Sequence, residues 1–83
     1  MTKDEIKTVV VQALKAVAPE IDEASLEPGK SLRDQLDVDS MDFLNYVIGL
    51  HEALKIDIPE ADYAKLATLD GTVAYVAERL HAA

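Results

Sequence analysis

Apolar residues at helical spacing, interrupted by prolines, restrict this chain to a small helical fold. Ile6, Val9, Val10, Ala13, Leu14 and Val17 recur three and four positions apart, the period of one helix face. Thr2 and Glu5 stand at capping-box spacing ahead of that stripe. Pro19 disfavours helix at Ala18, so the spacing predicts a first helix over about residues 3–17. A second helix opens at Asp39-Ser40 and runs to about Leu54. Asp39 is a good N-cap, and Asp42 adds negative charge to the first turn, where the helix dipole favours it. Ile56-Asp57-Ile58 reads as a brief extended link into Pro59, which suits the first position of a short third helix near about 60–66. Thr68 or Asp70 caps a last helix whose Val73, Val76, Ala77 and Leu80 share one face. Four helices and no convincing strand make an all-α, four-helix bundle.

The first two helices are joined by a long loop, residues 19–38, carrying Pro19, Pro28 and Gly29. A structureless connection of that length is uncommon in a compact domain and usually has a job. Ile21, Leu26, Leu32 and Leu36 are expected to pin it to the core. Ser31 to Leu36 has room for one helical turn with Ser31 as its cap.

Size and charge narrow the function. The 83 residues make a single domain, 1–83, that buries only about 60% of its unfolded surface. A deep pocket between two lobes is not expected. Without cysteine there is no disulfide framework, thiolate metal site or cysteine nucleophile, and any thiol chemistry must come from an attached group. Sixteen acidic against eight basic residues give a net charge of −8, which repels nucleic acid and favours basic partner surfaces. No stretch approaches the roughly 20 apolar residues of a membrane helix. Met1 to Glu5 has neither a secretory apolar core nor a transit pattern. These features point to a cytoplasmic protein with no membrane insertion.

At 100° per residue from Ser40, Phe43, Tyr46, Val47, Leu50 and Leu54 gather between roughly 240° and 340°, a core face. Met41, Leu44 and Ile48 fall between about 40° and 100°, with Asn45 and Glu52 beside them. Either this helix is buried nearly all round, or it leaves a second apolar stripe at the surface, flanked by Asp42, Asn45, Glu52 and Asp57. An exposed apolar patch rimmed by acids is a docking face for a partner with a basic rim.

Of Ser25, Ser31 and Ser40, only Ser40 opens a long helix directly after a long loop. Free backbone N–H groups and the positive dipole end suit an anionic phosphate there, although Asp39 and Asp42 oppose that charge. A plain capping role accounts for Asp39-Ser40 equally well. No catalytic site is expected. Ser40 and His51 on one helix lie roughly 16 Å apart along the axis, whereas a nucleophile and its base must approach to about 3 Å. His81, near the C-terminus, reads as solvated. Nor is a metal site expected. A calcium loop opening at Asp37 wants Gly at its sixth position and Glu at its twelfth, where Asp42 and Ile48 stand.

Asp39-Ser40-Met41-Asp42 resembles the phosphopantetheine attachment motif of acyl carrier proteins, Asp-Ser-Leu commonly followed by Asp. Leu32-Arg33-Asp34-Gln35-Leu36 looks like the approach to that motif. Leu50-His51-Glu52 and Ile56-Asp57-Ile58-Pro59-Glu60 resemble the segments that follow it. Thr68-Leu69, Val73 and Tyr75-Val76 match the pattern of the family's last helix. The register holds from about residue 31 to 76, and more loosely over the first helix.

The resemblance implies a stand-alone bundle of acyl-carrier type. It implies a phosphopantetheinyl transferase that moves a 4'-phosphopantetheine arm from coenzyme A to Ser40, next to Asp39. The arm's thiol then holds an acyl group as a thioester for acyl-transferring, acyl-activating or condensing enzymes of fatty acid, lipid or polyketide-type biosynthesis. Acyl chains of many relatives fold back between the helices, which makes Phe43, Val47, Leu50, Leu54, Ile58 and Tyr63 candidate cavity residues. The partner-recognition helix corresponds to the one carrying Met41, Leu44 and Ile48, and the family favours a monomer. Asp37 stands where Gly is usual, Asn45 and His51 where acids are common, and Phe43 where a smaller residue is frequent. An aminoacyl or peptidyl carrier and an unmodified helical adaptor are the alternative readings, and Asp42 favours the acyl one.

Overall fold

The computed structural model describes residues 1–81. Helix α1 spans Lys3–Val17, and the capping box at its start forms as the spacing predicts. Glu5 N–H donates to the Thr2 hydroxyl at 3.2 Å, and Thr2 N–H donates to the Glu5 carboxylate at 2.8 Å. Ile6, Val10, Val11 and Leu14 are its buried residues. The helix ends before Pro19, with Ala18 N–H bonded to the Leu14 carbonyl at 2.8 Å.

The connection that follows is held by its own polar side chains. Asp22 caps a three-residue 3-10 turn, Glu23–Ser25, that the sequence reading did not anticipate. A one-turn helix α2 forms over Leu32–Gln35. Gln35 ties the loop together by accepting from Glu27 N–H and donating to the carbonyls of Glu27 and Lys30, at 2.8, 2.8 and 3.1 Å. Leu26 and Leu32 enter the core, and Ile21 and Leu36 pack against it. Ser31 occupies the N-cap position of α2 but makes no capping hydrogen bond. The start of that turn is held from outside, by Leu32 N–H donating to the Ala67 carbonyl at 2.8 Å. Nearby, Asp70 N–H donates to the Pro28 carbonyl at 3.0 Å.

Helix α3 spans Ser40–Leu54 and closes at Lys55, which adopts a left-handed conformation with φ 55°. A 3-10 helix covers Glu60–Leu66, with Pro59 at its cap rather than in its first turn. Helix α4 spans Leu69–His81. Thr68, not Asp70, caps it, its hydroxyl accepting from Gly71 N–H at 2.9 Å.

The core joins α1, α3, α4, the 3-10 helix and the long loop through Ile6, Val10, Leu14, Leu32, Tyr46, Leu50, Leu66 and Val76. Besides the tyrosine hydroxyls, the one buried polar side chain among the described residues is that of Thr72. Tyr46 OH donates to the Thr72 hydroxyl at 3.0 Å, and that hydroxyl lies 2.8 Å from the Thr68 carbonyl and 3.2 Å from that of Leu66. The Tyr46 phenol is thereby satisfied in a dry setting, and burial raises its pKa. The described residues contain no strand, and none of their helices is long and apolar enough to cross a membrane.

Candidate functional site

Ser40 is the first residue of α3, exposed at the end of the long loop. The preceding residues fix where it sits. Val38 is buried and holds the chain against the body of the protein. Asp39 then turns it into the helix: its carboxylate accepts from Asp42 N–H at 2.8 Å, while Asp42 accepts from Asp39 N–H at 3.4 Å. The capping role of Asp39 is therefore real, and it belongs to Asp39 rather than to Ser40. The Ser40 hydroxyl takes no part in the cap and is left free to face solvent.

That hydroxyl accepts one hydrogen bond, from the Arg33 guanidinium on α2 at 3.3 Å. An arginine donates and cannot accept or take up a proton at ordinary pH. Ser40 thus has a cation beside it and, among its hydrogen-bond partners, no base. The site holds an exposed hydroxyl with no base of its own to activate it. His51 is occupied elsewhere: its Nδ1 lies 2.6 Å from the Ile56 carbonyl near the C-terminal end of α3. A carbonyl only accepts, so Nδ1 carries the proton.

The face of α3 beside Ser40 is apolar and exposed. Met41 is 66% exposed, Leu44 37% and Ile48 43%. Tyr46, Val47 and Leu50 are buried. Of the two readings of this helix, the one with two stripes holds. Asn45, Glu52 and Asp57 are exposed around the outer stripe, and Asp42 is half-buried at its head.

The six candidate cavity residues do not share one environment. Val47, Ile58 and Tyr63 line an open groove of about 430 Å³. Leu50 lies wholly within the core, and Phe43 and Leu54 are half-buried against it. Ile48, His51, Asp57, Pro59 and Arg79 complete the groove wall. A larger concavity of about 540 Å³ is walled by α1 and the long loop, touches no residue of α3, and carries many charged side chains.

Arg33 is the neighbour of Ser40 that sequence reasoning missed. It stands seven positions before Ser40, and only the bend between α2 and α3 brings the two together. The arginine in groove wall position 79 was missed for a similar reason, since its α4 stripe reads as a helix face and not as a lining.

Comparison with known proteins adds an independent line. The family model described as a phosphopantetheine attachment site matches residues 4–76. The acyl carrier protein of Rubrobacter xylanophilus is 32% identical over 68 residues, covering 82% of this chain and 84% of its own. That of Acidothermus cellulolyticus is 32% identical over 77 residues, covering 93% and 90%. That of an Exiguobacterium species is 34% identical over 82 residues, covering 96% and 100%.

Proposed function

The chain belongs to the acyl carrier protein family, and from that premise we propose that Ser40 is the residue that bears its phosphopantetheine arm. It is a carrier and not an enzyme, and its cofactor is a covalently bound 4'-phosphopantetheine. When attached, the arm supplies the thiol on which acyl groups are held as thioesters. The cysteine-free chain has no thiol of its own.

The single observation that carries the assignment to Ser40 is its exposed hydroxyl at the start of α3, outside the capping box and beside Arg33. The site fits the group chemically. A phosphate ester on that oxygen meets the positive end of a helix of 15 residues and a guanidinium. Asp39 holds the helix start in shape. Met41, Leu44 and Ile48 form the surface on which partner enzymes dock, with Asp42, Asn45, Glu52 and Asp57 as the polar rim that a basic partner reads. Val47, Ile58 and Tyr63 form the groove that shelters the acyl chain, while Phe43, Leu50 and Leu54 belong to the core cluster and do not line it.

The partners are a phosphopantetheinyl transferase and acyl-transferring, acyl-activating or condensing enzymes of fatty acid, lipid or polyketide-type biosynthesis. In this reading residues 1–83 act as one carrier domain, a cytoplasmic monomer. The test is an intact mass after incubation with coenzyme A and a broad-specificity phosphopantetheinyl transferase. Wild type is expected to gain one arm, and Ser40→Ala, still folded, none. Modification of Ser40→Ala, or no gain by folded wild type beside a working control carrier, overturns the assignment.

A further inference from the structure

We propose that Arg33 is the phosphate-holding residue of the arm: once the arm is attached, its guanidinium pairs with the phosphodiester on Ser40 and ties the root of the arm to α2. This inference rests on Ser40 being the attachment residue.

The charge balance at the site favours a cation beside Ser40. The N-terminus of α3 supplies roughly half a positive charge. Against it stand Asp39 and Asp42, each already engaged with a backbone N–H of that helix end. A phosphodiester adds a further negative charge at the same place. The helix end alone does not offset three anionic groups, and Arg33 is the basic side chain in contact with Ser40.

Arg33 is also uncommitted. Lys30 pairs with Glu27, and Lys65 and Arg79 pair with Asp62. Arg33 enters no ion pair among the described residues, although Asp34 adjoins it in sequence. It donates instead to a neutral hydroxyl at 3.3 Å. Converting that hydroxyl to a phosphodiester introduces a negative charge on the non-bridging phosphate oxygens, next to the same guanidinium. The planar fork of an arginine then makes charge-assisted bonds that a neutral serine does not offer.

Its backbone is already ordered. Leu32 is buried and its N–H is bonded to the Ala67 carbonyl, while the neighbouring Gln35 is fixed in the loop. Only the exposed arginine side chain itself must be immobilised.

The test uses the full chain, loaded with the arm and verified by intact mass. Two signals are read by nuclear magnetic resonance: the phosphorus of the arm, and the Nε–H of Arg33. On loading, the Arg33 Nε–H resonance is expected to shift and its exchange with water to slow. In loaded Arg33→Gln the phosphorus resonance should move away from its wild-type position, with Arg33→Lys falling between. Raising the salt should shrink the difference between wild type and Arg33→Gln, because the pair is exposed. An Arg33 signal unchanged by loading, or one phosphorus position shared by all three proteins, overturns the inference and leaves Ser40 as the attachment site. A wild type that never gains the arm defeats the reading of Ser40 itself, and this inference with it. Slow loading of Arg33→Gln does not blunt the test, since the guanidinium is read in wild type.

Discussion

Tyr46 and Thr72 meet in an interior that is otherwise apolar, and their two hydroxyls are unequal partners. Tyr46 OH depends on Thr72, whereas Thr72 also has the Thr68 carbonyl within reach at 2.8 Å. Thr72→Val strands a buried phenol and should cost about 1–3 kcal/mol. Tyr46→Phe removes one net hydrogen bond and should cost about 0.5–1.5 kcal/mol. The double variant should be less unstable than the sum, because it leaves no orphaned donor at the junction. Urea unfolding of the four proteins checks the order, and equal losses for both single variants contradict it. The pair escaped the sequence reading because Thr72 sits in a helix face whose apolar neighbours define the pattern. A threonine there looks like a solvated position, and only the packing of α3 on α4 turns it inward. The opening of α3 at Asp39-Ser40 was legible because its capping signals are local. The contact of Arg33 with Ser40 was not, because it depends on the bend between α2 and α3.

At the scale of elements, periodicity located α1 and α3 to the residue, since each has a continuous apolar stripe and side-chain caps of its own. The start of α4 was ambiguous between Thr68 and Asp70 because both are good caps. The 3-10 turn over Glu23–Ser25 is too short to carry a period, and Asp22 is its only sequence mark. Helix α4 contains a further constraint that its sequence conceals. A Cβ on Gly71 would lie 2.6 Å from the Lys65 carbonyl oxygen and 2.9 Å from the Thr68 hydroxyl, so here a glycine permits close approach of the 3-10 helix to α4. Gly71→Ala gains up to about 1 kcal/mol in helix propensity and forces a backbone shift costing about 1–3 kcal/mol. Net destabilisation is expected, read as a lower thermal midpoint. A raised midpoint would mean that the junction relaxes freely.

Across the whole molecule, stability should form a plateau bounded at both ends of the pH scale. Asp62 accepts from Tyr75 OH at 2.7 Å and from Arg79 at 3.0 Å. These bonds, that from Tyr75 foremost, hold its carboxyl below the ordinary value of 3.8. A carboxylate depressed in the folded state binds its proton more readily when unfolded. Its contribution is present above about 4, the unfolded value, and is lost as pH falls through the lower folded one. At the alkaline end, burial raises Tyr46 and Tyr75 above 10, so the stability tied to their neutral forms fades as pH climbs past 10 toward the folded values. Urea midpoints across pH should fall at both ends, and Asp62→Asn should flatten the acid limb. An unaltered acid limb would remove Asp62 from the account.

The two backbone bonds between the long loop and the start of α4, from Leu32 to Ala67 and from Asp70 to Pro28, have a consequence for how the chain tolerates damage. Ser40 and Arg33 lie in the first half of the sequence, yet the platform under Arg33 is latched by residues near the beginning of the last helix. A protease nick or frameshift beyond Leu66 would spare every side chain at the proposed attachment point and still release its footing. The far end of the polypeptide is thus a hidden stakeholder in the address proposed for the cofactor, and a fragment keeping only the motif and its helix would carry the right letters without the page they are printed on.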